Sequence, residues 1–207
     1  MDTLMRFIGD VHALWEGYLP LTEGVDSVQV GDFGAGFREI PALNSRARFI
    51  RGNHDNPEVC RNHPNWIKDG TVENGIMYIG GAYSIDRAYR KEGVSWWPDE
   101  EIAYGDWDAI IDTVQAAKPR IIVTHDCPES IIPVLFPRAF PIKSRTQQAL
   151  DVVFALHKPV LFIFGHWHYD RDKIINGTRF ICLNELHYID VDLQTLTVTP
   201  GRKFRPG

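Results

Sequence analysis

The stretch Arg51-Gly52-Asn53-His54-Asp55 sets an amide oxygen, an imidazole and a carboxylate on consecutive residues, just after a glycine that lets the backbone turn sharply. Such a run makes an ordinary turn as readily as a site, because Gly-Asn and His-Asp both suit turns. Its company decides between the two. Asp10 with His12, Asp32, His125, and His166 with His168 repeat the same donor chemistry, so that five of the eight histidines fall in five short clusters. A donor set of oxygen and nitrogen without thiolate suits Mn²⁺, Fe or Zn²⁺, and ligand type alone does not choose among them. An imidazole with a carboxylate neighbour can also hold a proton near neutral pH, which would suit His54 beside Asp55.

Independent clusters become one site only if the chain carries them to the same place. Each follows a short apolar run that reads as a buried strand: residues 4–8, 27–30, 47–50, 120–124 and 160–164. In an open α/β sheet ligands bind at the carboxyl ends of the strands, so five strand ends can converge. Asp10 and His12 stand at i and i+2 and project to one side of an extended chain. Four clusters start directly after Gly9, Gly31, Gly52 and Gly165, where a missing side chain allows close packing around an ion.

The intervening segments read as helices over residues 13–19, 98–118 and 144–157, with a short helix and turn within 35–46. Ser144-Arg145-Thr146-Gln147 resembles a capping box for the last long helix. Strand, helix, strand alternation predicts a parallel sheet with crossover helices. Asn74-Gly75 and Asn176-Gly177 mark hairpins, and residues 188–192 and 195–199 a closing pair. Residues 82–98 have no clear period and read as a long surface loop. The tail, residues 202–205, reads as a solvated end.

The 207 residues, 44% hydrophobic and 12% aromatic, suit one globular domain, residues 1–207. A net charge of -5 argues against a general nucleic-acid binder or a partner of anionic membranes. An anionic substrate stays compatible with it, because bound cations invert the local field. No stretch approaches the roughly 20 apolar residues of a membrane span, and the first six residues lack the layout of a signal peptide. Cys60, Cys127 and Cys182 are few, scattered and odd in number, which fits reduced thiols; a cytoplasmic location is the expectation.

Asp10-x-His12, Gly31-Asp32, Gly52-Asn53-His54-Asp55, His125 and Gly165-His166-x-His168 resemble, in order, the full motif series of the calcineurin-like metallophosphoesterases. The resemblance covers residues 9–168. It implies a four-layer α/β/β/α sandwich carrying two divalent metal ions. Asp10, His12 and His168 would hold one ion and Asn53, His125 and His166 the other, with Asp32 bridging. His54 would be the acid or a phosphate contact, oriented by Asp55. The implied reaction is phosphoester hydrolysis by a metal-bridging hydroxide, with Mn²⁺ the leading metal and Fe or Zn²⁺ the others. Asp32 is followed by Phe33-Gly34-Ala35-Gly36 and not by the Val-Asp-Arg-Gly of the protein phosphatase branch, so the pattern looks more like the phosphodiesterase branches. A phosphomonoesterase or nucleotide pyrophosphohydrolase is the alternative, and a non-catalytic scaffold of the same fold a more distant one. The substrate would be a small phosphoester or a nucleotide. Arg87, Arg90 and Trp96 in the 82–98 loop combine guanidinium groups with an aromatic face and are candidates to contact it.

Overall fold

A computed structural model describes residues 3–205; residues 1, 2, 206 and 207, which include Met1 and Asp2 of the expected leaderless start, lie outside the described residues. Two sheets carry the chain. One has the order β11(Val198–Pro200), β10(Tyr188–Asp192), β1(Leu4–Ile8), β2(Asp26–Gln29), β3(Ala47–Phe49), with β1, β2 and β3 mutually parallel. The other runs β4(Thr71–Glu73), β5(Ile76–Ile79), β6(Ile121–Thr124), β7(Leu161–Phe164), β9(Thr178–Cys182), β8(Arg171–Ile175), parallel from β5 to β9 with antiparallel edges.

Side-chain alternation along the strands builds the layers. Phe7, Val28, Ile76, Tyr78, Val123, Ile163 and Val191 meet in a core between the sheets. Their neighbours Met77, Ile79, Ile122, Phe162 and Phe164 face the other way, against α3(Tyr104–Ala117) and α5(Arg145–Leu156). Ile8, Phe33 and Phe49 pack with α1(Trp15–Tyr18) and Cys60 of α2(Pro57–Arg61) on the outer side of the first sheet. Each fully buried Phe or Ile contributes about 1.5–3 kcal/mol, which explains why the central strands β5, β6 and β7, buried on both faces, read as near-continuous apolar runs. The order helix, sheet, sheet, helix is the expected four-layer sandwich.

Several local expectations change. Residues 98–103 are not helical, and α3 begins only at Tyr104. Their polar groups are committed elsewhere: Arg51 Nη1 donates to the carbonyls of Asp99 (2.9 Å) and Glu100 (2.8 Å), and Glu100 Oε1 accepts from Ser84 N. Residues 35–46 form no helix, only turns at 36–37 and 45–46; Ala35 N donates to Asp55, while its carbonyl accepts from Asn56 N, which ties the start of the segment to the loop after β3. The first helix shortens to one turn and runs into a 3-10 turn at Leu19–Thr22. Residues 132–135 add a further short turn, α4(Ile132–Leu135). The tail is not solvated throughout, since Phe204 is 3% exposed and joins the core between the sheets. No helix among the described residues is long and apolar enough to cross a membrane.

Candidate metal centre

β1, β2, β3, β6 and β7 all end at one edge, and the loops that leave them carry the five clusters. Asp10, His12, Asp32 and His168 offer ligand atoms that all lie within 4.8 Å of one another, and so do Asp32, His125 and His166. Asp32 belongs to both groups. Asn53 joins the second, its Oδ1 standing 3.1 Å from His125 Nε2. All seven expected ligands are therefore brought together.

Glycine makes this density possible. A Cβ on Gly52 would lie 2.1 Å from Asp32 Oδ1, and one on Gly165 would lie 2.2 Å from Asp10 Oδ1. The ligand residues accept strain in return. His12 (φ 47), Asp32 (φ 55), His166 (φ 67) and His168 (φ 54) all sit in the left-handed region, at about 1–3 kcal/mol each for a side-chain-bearing residue. Such strain persists where the surroundings over-determine it, and here Val11 N and His12 N both donate to the Asp32 carbonyl at 3.0 and 2.8 Å. Buried Gln29 ties two of the loops: its amide nitrogen donates to the carbonyls of Gly9 and Gly31, and its Oε1 accepts from Gly31 N.

Outer partners fix the inner donors. His125 Nδ1 lies 2.9 Å from the Val30 carbonyl and so carries the proton, leaving Nε2 to face Asp32 Oδ1 at 3.3 Å. Asn53 Nδ2 donates to Ser84 Oγ (3.0 Å), which turns the amide oxygen inward. This is the arrangement by which ligating imidazoles and amides are oriented. Burial opposes charge on His125, but Asp32 outweighs it and lifts the ring to about 10, while Asp32, despite its own burial, is held well below the carboxylate range by His125. On the other side His168 Nε2 is 3.0 Å from Asp10 Oδ2 and 3.1 Å from His12 Nε2. The hydrogen bond that Asp10 accepts from it raises the His168 ring. Two imidazole nitrogens turned toward each other beside two carboxylates make a donor set that a divalent cation fits.

Asp55 has a different task from the expected one. Its carboxylate accepts from four backbone N–H groups, Phe33 (3.0 Å), Gly34 (2.6 Å), Ala35 (2.9 Å) and Gly52 (2.8 Å), and makes no contact with His54. It pins the loop after β2 to the loop after β3. His54 instead faces Asp32 Oδ2 at 4.0 Å and Arg90 Nη2 at 3.2 Å. Burial lowers its pKa first, Asp32 opposes, and Arg90 lowers it further, so the neighbourhood does not favour the protonated ring. Arg90 is held by Asp86 through two hydrogen bonds of 2.6 and 2.7 Å. Of the three loop candidates, Arg90 is the one whose contact reaches the site; Arg87 lies over the Tyr83 ring and Trp96 is half-buried.

Two contributors had no assigned role in the sequence. Buried Asp126 stands 4.0 Å from His166 Nε2 and accepts from Trp167 Nε1 (2.9 Å) and Gln147 Nε2 (2.8 Å). Ser84 orients Asn53. The adjacency His125-Asp126 was the only available signal for the first, and nothing local marks the second.

No family model and no curated protein matches this chain. Solved structures do. A protein assigned as a 5′-nucleotidase from Staphylococcus aureus is 11% identical over 96% of this chain, with a TM-score of 0.48; this chain spans 52% of that one. An uncharacterised protein, a predicted phosphoesterase from Streptococcus pneumoniae, is 14% identical over 91% of this chain and 81% of its own (TM-score 0.38). Phosphopantetheinyl hydrolase from Mycobacterium tuberculosis is 12% identical over the whole of both chains (TM-score 0.43). The assignment rests on the chain's own residues: with its layers in the order α/β/β/α and the five motifs gathered at one edge, the chain resembles the calcineurin-like metallophosphoesterases in fold as well as in motif order.

Proposed function

We propose that the protein is a metal-dependent phosphoesterase that hydrolyses phosphodiester bonds at a binuclear centre. The observation that carries this reading is Asp32, one buried carboxylate shared by two ligand groups. Asp10, His12 and His168 would hold one divalent ion, Asn53, His125 and His166 the other, with Asp32 between them, and Mn²⁺ is the first metal to test. When bound, such a pair neutralises charge on the phosphoryl oxygens and acidifies a coordinated water.

The chain's own groups supply the rest. Hydrolysis of a diester forms one P–O bond to water, breaks another, and leaves an alkoxide that needs a proton. His54 Nε2 is the group suited to hand it over. In the structure Arg90 occupies that nitrogen, so the neutral ring carries its proton on Nδ1; once Arg90 turns away, Nε2 can take up a proton from solvent, and this is the proton passed to the alkoxide. A phosphate oxygen is a natural partner for the displaced guanidinium. Arg90 is therefore read as a substrate contact that also controls the proton position on His54.

A phosphomonoester or a nucleotide pyrophosphate would meet the same charges, which makes these the second substrate classes to test. Three buried free cysteines fit a reducing compartment, and a cytoplasmic setting belongs to this reading. The test is release of p-nitrophenol from bis(p-nitrophenyl) phosphate by metal-reconstituted protein. Turnover restored by Mn²⁺ after chelation supports the reading, whereas turnover indifferent to chelation, or none with any divalent metal, removes it.

A further inference from the structure

We infer that a second site, a cationic cavity beside the metal centre, binds a phosphomonoester group carried by the substrate elsewhere than at the scissile bond. This deepens the phosphodiesterase reading and rests on it. The cavity is about 460 Å³ and is lined by Tyr83, Arg87, Tyr104, Lys143, Arg145 and Gln148. Three basic side chains in one cavity stand out in a chain of net charge -5. Its one acid, Glu101, is already engaged, since Oε1 accepts from Ser144 Oγ (2.9 Å) and Thr146 N (2.8 Å) at the start of α5. Among the described residues none of the three cations is in a salt bridge.

Two of the cations lie over aromatic rings. The Arg87 guanidinium lies 4.5 Å above the Tyr83 ring and that of Arg145 5.0 Å above Tyr104. Stacking on a ring fixes the plane and leaves the N–H edge for a ligand. Arg145 Nη2 reaches the Glu101 carbonyl at 3.4 Å, while its Nε is buried with no partner among the described residues. A phosphomonoester carries about -1.5 to -2 charges at neutral pH with three acceptor oxygens, which matches several fork-shaped donors better than a single carboxylate does.

Topology sets the cavity at the correct edge. α3 follows β5 and α5 follows β6, so both helices begin at the carboxyl ends of parallel strands, where His125 and His166 also stand. Tyr104 and Arg145 are the first residues of those helices, whose N-terminal ends add positive potential. Two chain links connect cavity and metal centre: Tyr83 precedes Ser84, which holds Asn53, and Gln148 follows Gln147, which holds Asp126 beside His166.

The test compares the p-nitrophenyl ester of thymidine 5′-phosphate with the same ester bearing a 3′-phosphate. The wild type should show a lower KM for the bisphosphate. Lys143→Gln and Arg145→Gln should each reduce that preference about tenfold, the worth of one charge-assisted hydrogen bond. Thermal melting checks the fold, and the exposed Lys143 serves if the Arg145 variant is unstable. Absence of a preference, or equal KM changes for both esters, overturns the second site. Should the metal-loaded wild type cleave neither ester, the phosphodiesterase reading fails, and inorganic phosphate titrated against the protein decides the cavity alone. Amide shifts at Tyr104 and Gln148 that vanish in Lys143→Gln uphold it; none in the wild type refutes it.

Discussion

The two halves of the proposed metal centre are built differently. Asn53 and His125 are 1% and 0% exposed, and each is fixed from behind, by Ser84 and by the Val30 carbonyl. His12 and His168 have side chains 25% and 48% exposed and find their nearest partners in each other and in Asp10. The buried half has its donors oriented before any ion arrives, whereas the open half depends on the ion to order it. A pre-oriented set loses less entropy on binding, so the buried position should hold its metal the tighter of the two. The open half, beside His54, is the more solvent-exposed of the two.

The largest effect should come from the one residue common to both halves. Asp32→Ala removes a ligand from each position, together with a carboxylate that balances five imidazoles and accepts from His54 N at 2.8 Å. Loss of an outer partner alone costs about 10–100-fold in metal affinity or activity, so this variant should fall at least about 100-fold in turnover. Metal analysis should show depletion at both positions. Retention of both ions with near-normal rates would show that the halves are not joined through Asp32.

His54→Gln should separate chemistry from metal retention on the open side. The ring stands 5.4 Å from that of His12, and no other proposed ligand depends on its side chain. Metal content should stay near that of the wild type while turnover of alkyl esters falls about 100-fold, the lower range for general acid catalysis. Esters of p-nitrophenol, whose leaving group scarcely needs a proton, should lose much less. An equal loss for both leaving groups would assign His54 to positioning alone.

What the sequence disclosed divides along similar lines. The gathering of the seven expected ligands was legible because each follows a short strand, and strand ends in a parallel sheet share an edge by construction. The sandwich followed from the same runs. Helix starts were less legible: residues 98–101 carry acids suited to a first turn, but Arg51 takes the carbonyls of Asp99 and Glu100, and Ser84 N the Glu100 carboxylate, in tertiary bonds that no local pattern encodes. The sequence pairing of His54 with Asp55 misled for a related reason. Neighbours in sequence at a sharp turn point apart, and four backbone donors from two loops claim the carboxylate.

A milder change should touch the buried half alone. Ser84→Ala removes the acceptor that turns the Asn53 oxygen inward, leaving the backbone bond from Ser84 N to Glu100 in place. Affinity at the tighter position should drop about tenfold, and the weaker position should keep its own. Stepwise chelation followed by calorimetry resolves the two. If both affinities fall together, orientation from behind does not distinguish the halves.

The smallest effect concerns a proton. In metal-free protein the His54 ring is driven below its ordinary value, first by burial and then by Arg90, with Asp32 pulling the other way. A ring so depressed is neutral at neutral pH and takes up its proton only as the pH falls below the usual imidazole range. Arg90→Gln removes a cation 3.2 Å from Nε2 and also unpairs Asp86, which Arg90 now neutralises. Both changes act in the same direction, so the His54 pKa should rise. The neighbouring rings provide the control, because the leading charges on His125, His166 and His168 are Asp32, Asp10 and Asp126. Proton NMR of the histidine ring signals reads all of them in one titration. A rise confined to His54 would identify Arg90 as the residue that keeps the proton off Nε2 before substrate arrives. An unchanged His54 would mean that burial and Asp32 set its value without Arg90, and Arg90 would then be left with contact to the phosphate as its role.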